Sequence, residues 1–500
     1  MMDEEDACTI LEQCGRRLVG GPSIEEGESS GFADDATWII TSSFVIFTMQ
    51  TGFGMLEMGC CQHGFAINIL LKNVVDVVFG AISYFVFGYG ISFGEPSTPL
   101  MGLGMFAPTG GSVDGTESGL LFSQYLFQLS FAATATTIVS GCVAMRLKFF
   151  VYCLYSFFGV IFYSFVAHWA WAEDGWLSAQ GFHDFAGGAV VHLFSATSGL
   201  VATMMLGPRH GRFGGSMRPA SDFKPSSPTS MLFGLFMLWW GWLGFNCGST
   251  FGVTDDRWIT ATRTAITTMN SSAAGGCVGL LVSLLQTRGT LVKPEELING
   301  ILGALVAITP CCDTIHTHTA FFVGAFGAFF ALVCNKLLEN NGVDDPAGAI
   351  GVHGASATWG IIALCLFSDA TIPAGSGVNG IFFGGGPSML LVHIMGMIAI
   401  MAWAIFTSYV FFYIVGVALS GDPRDYRLGI RVPLLEEIGG ADWFVHGIES
   451  PLTSLRLELY AKMTCKSSND VITEIESFGK IPPESCETTF PLMNAPMEQT

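Results

Sequence analysis

What most limits the fold of this chain is a succession of apolar stretches, each about as long as a lipid bilayer is thick. A helical crossing needs about 20 predominantly apolar residues. Eleven segments meet or approach that length, at roughly 36–59, 70–93, 119–144, 149–171, 187–207, 229–249, 258–286, 297–312, 318–337, 349–367 and 388–417. Turn-forming residues separate them, as in "GEPSTP", "GPRHGRFGG", "KPSSP" and "ENNGVDDP". The eighth run is short for a crossing. In lipid every backbone polar group must find a partner within the protein, so apolar runs of this length are helices. The expected fold is an all-α polytopic membrane protein with eleven transmembrane helices.

Composition agrees. The chain has 500 residues, of which 50% are hydrophobic and 12% charged, against about 25% charged in a soluble protein. Its 62 glycines suit helices packed closely in a bilayer. The formal charge of −20 lies mostly in the tails and outer loops. Nucleic-acid binding would want a basic face and is not expected. The acidic first thirty residues carry no basic-then-apolar leader, so the first span is expected to direct targeting. Cys60, Cys142, Cys153, Cys277, Cys334 and Cys365 sit in apolar runs and read as small buried hydrophobes. Cys8 and Cys14, or Cys311 and Cys312, would be open to oxidation if they faced outward.

Basic residues set the direction. One alternate set of loops holds Lys72, Arg146, Lys148, Arg209, Arg212, Arg218, Lys224, Arg288, Lys293 and Lys336. The opposite set holds only Arg257, apart from Arg16 and Arg17 in the N-terminal arm and Arg263 just inside a span. The positive-inside rule puts the first set in the cytoplasm. Residues 1–35 are then an extracellular arm, 36–420 the membrane domain and 421–500 a cytoplasmic tail, expected to be largely disordered after about 450.

Two nonapeptides stand out against this background. "DFAGGAVVH", Asp184 to His192, and "DPAGAIGVH", Asp345 to His353, share Asp, Ala, Gly, Val and His in register. The first opens a span entering from outside, the second a span entering from inside. At about 1.5 Å per residue each histidine lies about 12 Å along its helix, near the middle of the bilayer. Two halves of inverted topology would give this, with a site at their interface near the midplane. A lone intramembrane histidine is often an interhelical hydrogen-bond partner. A metal site would want three or four ligands, and no third stands out at that depth. A matched pair favours a pathway lined by imidazoles, each donor and acceptor at once. Asp184 and Asp345 read as helix caps, the latter followed by Pro346 at the first helical position. Asp184 would also lend negative potential to the outer mouth.

The remaining candidates are aromatic. "FQLSFAATATT" places Phe127 and Phe131 on one helix face, "AHWAWAEDGW" puts Trp171 at the outer end of the fourth span, and "WWGWLGFNCGS" brings Trp242, Phe245 and Ser249 toward the outer end of the sixth. Interfacial belts and ordinary packing explain many such residues. Together, however, Trp171, Phe127 and Ser249 would make a cation-π and hydroxyl cage for a small ammonium-like ion.

At these residues the sequence resembles the ammonium transporter family (Amt/Mep/Rhesus), and its Amt branch of eukaryotic type. The motifs are "DFAGGAVVH", "GVHG", "SFAATATT", "GWLGFNCGS" and "KNVVDVVFG", in that family's combination over about 35 to 450. The resemblance implies eleven helices with an inverted five-plus-five repeat, a homotrimer with one pore per subunit, and no cofactor. It implies that His192 and His353 are twin pore histidines and that Phe131 and Phe245 form a stacked phenyl gate. Trp171, Phe127 and Ser249 would be the outer recruitment site, supported by Asp184, and His168 a residue beside the mouth. Glu57, in "TGFGMLEMG", resembles animal or protist members. The tail segment "GGADWFVHG" has Phe444 where plant-type members carry a switch threonine. No phosphorylation switch is expected there, and Ser467 or Ser468 are the alternative sites. The frame itself is expected to dock against a neighbouring subunit.

The expected function is ammonium/ammonia transport across the plasma membrane, with methylammonium as an analogue substrate. Three rivals are an ammonium sensor with little flux, a proton- or metal-coupled cation carrier, and a His-based membrane enzyme using Cys247 or Ser249. The last lacks any oxyanion or triad signature.

Overall fold

The computed structural model describes residues 29–109, 115–214, 223–373, 375, 377–448, 453–464, 466, 470, 471, 473 and 474. Cys8, Cys14, Ser467, Ser468 and most of the tail beyond 450 lie outside the described residues.

Long helices dominate. In chain order they are α1 (Ser29–Cys60), α2 (Ala66–Phe93), α3 (Gly115–Val143), α4 (Phe149–Trp171), α5 (Gly188–Leu206), α6 (Pro228–Gly248), α7 (Arg257–Gln286), α8 (Pro294–Ile308), α9 (Thr319–Asn340), α10 (Gly351–Phe367) and α11 (Pro387–Ser420). Among the described residues nine of these are long and apolar enough to cross a membrane. The 15-residue α8 and the helix Gly351–Phe367 are shorter. The eighth run, read from sequence as 297–312, stops at Ile308. The cause is Pro310, which cannot donate within a helix and disfavours helical geometry in the residue before it. The freed chain turns instead, and Pro310 O accepts from Phe185 N at 3.3 Å.

The first helix of each half packs along the other in opposite directions. Ser42 of α1 lies against Gly248 of α6, Met49 against Gly241, and Leu56 against Gly234. A methyl group at Gly234 would overlap the α1 backbone at Leu56 and Gly52, and one at Gly241 would overlap the Met49 side chain, so the helices approach closely at both glycines. Close approach through small residues is how membrane helices gain packing where lipid supplies little hydrophobic drive.

Basic residues gather at one end. Arg209 forms a two-pronged pair with buried Asp344, its Nε and Nη2 donating at 2.7 Å each, and Arg146 Nη1 lies 3.5 Å away. Asp344 precedes α10 and Arg209 follows α5, so this pair ties the two halves together. Burial would raise the Asp344 carboxyl, but hydrogen bonds from Arg209 and the charges of Arg209 and Arg146 hold it well below the usual carboxylate range. A carboxylate depressed in the folded state stabilises above its unfolded pKa of about 4 and loses that contribution as pH falls through the folded value. Asp344→Asn should therefore destabilise the protein by about 2 kcal/mol at neutral pH. Thermal unfolding in detergent should show the same wild-type-to-variant gap at pH 7 and pH 5, narrowing only in stronger acid.

The first part of the tail folds back at that same end through short helices α12 (Tyr426–Ile430), α13 (Leu434–Gly439) and α14 (Ala441–Phe444) and then α15 (Thr453–Thr464). Asp442 Oδ1 accepts from Asn68 N at 2.8 Å, Asp442 N donates to Gly64 O at 2.9 Å, and His446 Nε2 lies 3.0 Å from Asn68 Nδ2. The tail thus docks on the α1–α2 loop and the start of α2 of its own chain. Phe444 packs with Leu435, Ile438, Trp443 and Leu457. Cys311 and Cys312 are fully buried, so the condition for their oxidation, that they face outward, is not met.

Candidate functional site

The two nonapeptides build one device twice. Asp184 Oδ1 accepts from the backbone N–H of Gly187 (3.2 Å) and Gly188 (2.6 Å), and its Oδ2 from Ala189 (2.7 Å) and Val190 (2.9 Å). Asp345 Oδ1 accepts from Gly348 N at 3.0 Å and its Oδ2 from Ile350 N at 2.7 Å. Gly187 and Gly348 take positive φ (+93° and +70°), which lets the chain turn sharply from carboxylate to helix. In both copies the turn carrying the histidine is a π-helix, Gly188–Leu193 and Gly351–Ala355. Such turns occur often at functional sites.

These turns bring the histidines together. His192 and His353 lie with Nδ1 atoms 3.1 Å apart and rings nearly parallel, at 14°. Both are buried, at 0% and 4% exposure. Each neutral imidazole has one N–H and one lone pair, so one Nδ1 donates and the other accepts. The two Nε2 atoms are then left as one donor and one acceptor. His192 Nε2 has no protein partner. Trp242 stacks on His192 at 5.1 Å and anchors its indole through Nε1–H to Thr309 Oγ1 at 2.9 Å.

On one side of the pair lies a vestibule lined by Phe127, Phe131, Trp171 and Ser249, with Tyr89, Phe93, Gln124, Gln128, Phe185 and Phe251. Its floor is a stacked pair of phenyl rings, Phe131 and Phe245, 3.9 Å apart at 11°. Phe245 lies 5.7 Å from the His192 ring. Trp171 meets Phe131 edge-on at 5.9 Å. Ser249 Oγ donates to Phe245 O at 2.9 Å, leaving its lone pairs free to accept.

On the other side of the pair is a second cavity, lined by His353, Phe53, Leu56, Glu57, Ile138, Gly141, Asn299 and others. The α3 residues of the two spaces, Phe131 and Gly141, are ten positions apart in the chain, about 15 Å along a helix axis. Phe185, just before α5, lines the first space, and Ala349 and Val352, at the start of α10, line the second. The two histidine helices therefore enter from opposite ends.

A family profile, Ammonium Transporter Family, matches residues 37–449. The chain belongs to the ammonium transporter family. It is 37% identical to "Putative ammonium transporter 3" of Caenorhabditis elegans over 456 residues, a match covering 87% of this chain and 64% of that relative. It is 32% identical to "Ammonium transporter 3" of Dictyostelium discoideum, covering 85% of this chain and 97% of that one. Among solved structures, "Sensor Amt Protein" matches with TM-score 0.73 at 28% identity, covering 83% of this chain and 98% of that chain. Candida albicans Mep2 shares the fold at TM-score 0.73 and 24% identity, covering 88% and 96%. The family is one of transporters, not enzymes.

In this chain Asp184 is the helix cap its position suggested, and neither it nor His168 is among the vestibule lining. Asp184 is 3% exposed and its carboxylate is used up by four backbone N–H groups, so it does not face the vestibule. It acts through its carbonyl, which accepts from Trp171 Nε1 at 2.8 Å and fixes the indole. His168 is also outside the vestibule lining. Its ring nitrogens meet Ser92 O at 2.9 Å and Thr98 O at 2.7 Å, so it fastens the α2–α3 loop. Sequence reasoning missed Gln124 and Gln128. They lie at i and i+4 on the helix face of Phe127 and Phe131, and that spacing was the available signal.

Proposed function

We propose that the chain carries ammonium or ammonia across the plasma membrane through one pore per subunit of a homotrimer. The observation carrying this reading is the order of the parts. An aromatic vestibule, a stacked phenyl pair, a hydrogen-bonded imidazole pair and a second cavity follow one another through an apolar bundle. With the basic end in the cytoplasm by the positive-inside rule, the aromatic vestibule faces outside, and eleven crossings, counting the two shorter helices, would put the N-terminus out and the C-terminus in.

The chemistry follows from desolvation. Trp171, Phe127 and Ser249 can hold a small cation by ring faces and a hydroxyl acceptor. Between the phenyl pair and the second cavity the path is walled by rings and the two imidazoles, and a bare ion there would lose its hydration with no carboxylate beside it. Ammonium can give up a proton and pass as ammonia; potassium cannot. Ammonia accepts from one histidine Nε2 and donates to the other. The proton either follows over the imidazoles, giving electrogenic uptake, or returns outside, giving an ammonia channel.

Voltage clamp of cells expressing the protein tests this. A saturable inward current with ammonium and methylammonium, absent with potassium, supports electrogenic transport. A fast ammonia-dependent pH change without current supports the channel form. Neither signal from protein shown to be at the surface sinks the reading in favour of a sensor, the role named for one structural neighbour. Trp171→Ala should raise the half-saturating ammonium concentration about 3- to 10-fold by removing a cation-π face, with maximal flux changed less.

A further inference from the structure

The second cavity holds a buried carboxylate that the transport reading does not use. Glu57 is 3% exposed, lines that space with His353, and sits one turn before the C-terminus of α1. Its neighbours leave it without a counter-cation. Asn73 Nδ2 donates to Glu57 Oε2 at 3.2 Å, but no lysine, arginine or histidine forms an ion pair with Glu57 among the described residues. The charged groups facing it are Lys72 and Asp76 of α2. Lys72 Nζ is directed to Leu147 O at 3.1 Å, and Asp76 is held by Tyr152 and Ser156.

Acceptors are in excess at this spot. Asn73 Nδ2 donates to both Glu57 Oε2 and Ile69 O, and because both partners are acceptors the amide orientation is fixed. Asn73 Oδ1 is then left buried with no partner. The C-terminal carbonyls of α1 add negative potential. Glu57 brings its carboxylate to the cavity wall, with the orphaned Asn73 oxygen behind it and the Ser140 hydroxyl beside it, and so offers acceptors to a compact donor-rich cation.

We propose that Glu57 forms a second binding site for ammonium and small protonated amines, on the far side of the histidine pair from the aromatic cage. The site uses a carboxylate where the outer one uses ring faces. It rests on the transport reading for its place at the exit, but not for its ability to bind.

Two measurements test it with Glu57→Gln, which removes the charge at constant size, and Glu57→Asp, which keeps it. In excised patches or oriented proteoliposomes, Glu57→Gln should raise the half-saturating ammonium concentration from the cytoplasmic face about tenfold, the loss of one modest charge contact, and leave the outer face unchanged. Glu57→Asp should stay close to wild type. Equal values on the inner face, or a parallel change on both faces, overturn the proposal. The second measurement needs no flux. In a Trp171→Ala background, ammonium chloride should still raise the unfolding temperature of purified protein over potassium chloride, and adding Glu57→Gln should abolish that difference. If it persists, the site is wrong. If wild type carries no flux but this shift behaves as described, the transport reading fails and the site stands.

Discussion

His192→Ala should lower ammonium-evoked flux about 10- to 100-fold, the range expected for losing one or two hydrogen bonds to a solute that has left water. The replacement removes the Nε2 that has no protein partner and also strands His353, whose Nδ1 loses its mate at 3.1 Å. His353→Ala should cost a similar amount from the other side. Because the two rings act as one donor–acceptor unit, the double variant should be little worse than either single one, a non-additivity that two independent binding residues would not show. Flux normalised to surface protein checks this. A His192→Ala variant within twofold of wild type would remove the imidazole pair from the pathway. Trp242 should hold the fold meanwhile, since its indole remains tied to Thr309.

The other large effect is expected at Asp184, and it is one of stability. Asp184→Ala leaves four backbone N–H groups buried without acceptors. At about 1 kcal/mol or more for each group, the loss should reach about 4 kcal/mol, beyond an ordinary helix cap. Asp184→Asn should help only partly. Its single oxygen can serve two of the four donors, while its amide nitrogen would face the other two donor to donor. The expected result is a lowered unfolding temperature in detergent for both variants, larger for Ala, with poor recovery at the surface. A normal unfolding temperature with lost flux would instead mean that the carboxylate acts on the solute directly, against the bonding described above.

The parts of the site that were readable in the sequence are those written as a local pattern. The repeat of Asp, Gly, Val and His announced two matching turns, and the loop pattern announced that basic residues would gather at one end. What escaped required contacts between distant segments. Nothing in "DFAGGAVVH" signals a π turn rather than an α turn, nor that Gly188 lies against the ring of the distant Pro310. Glu57 and His353 share a cavity only because α1 and α10 converge, and no spacing rule relates positions so far apart. Asp184 shows the limit of role assignment by residue type. Its capping role was legible from its place before the helix, but that its carbonyl would hold the Trp171 indole was not. The eighth span was overextended for a simpler reason, since the apolar character of 309–312 outweighed the proline within it.

The glycine seam between α1 and α6 also bears on how such a pore can move. Transporters that expose a central site alternately do so by rocking one half against the other. Here α1 backbone lies on Gly234 and the Met49 side chain on Gly241, and sliding by one residue would bring a bulkier α6 residue against each. Close-packed interiors yield little to such strain. The moving parts open to this architecture are therefore single side chains, above all the phenyl pair. Ring flips on that scale are fast and local, and a conduit worked by them turns over without a global change of shape.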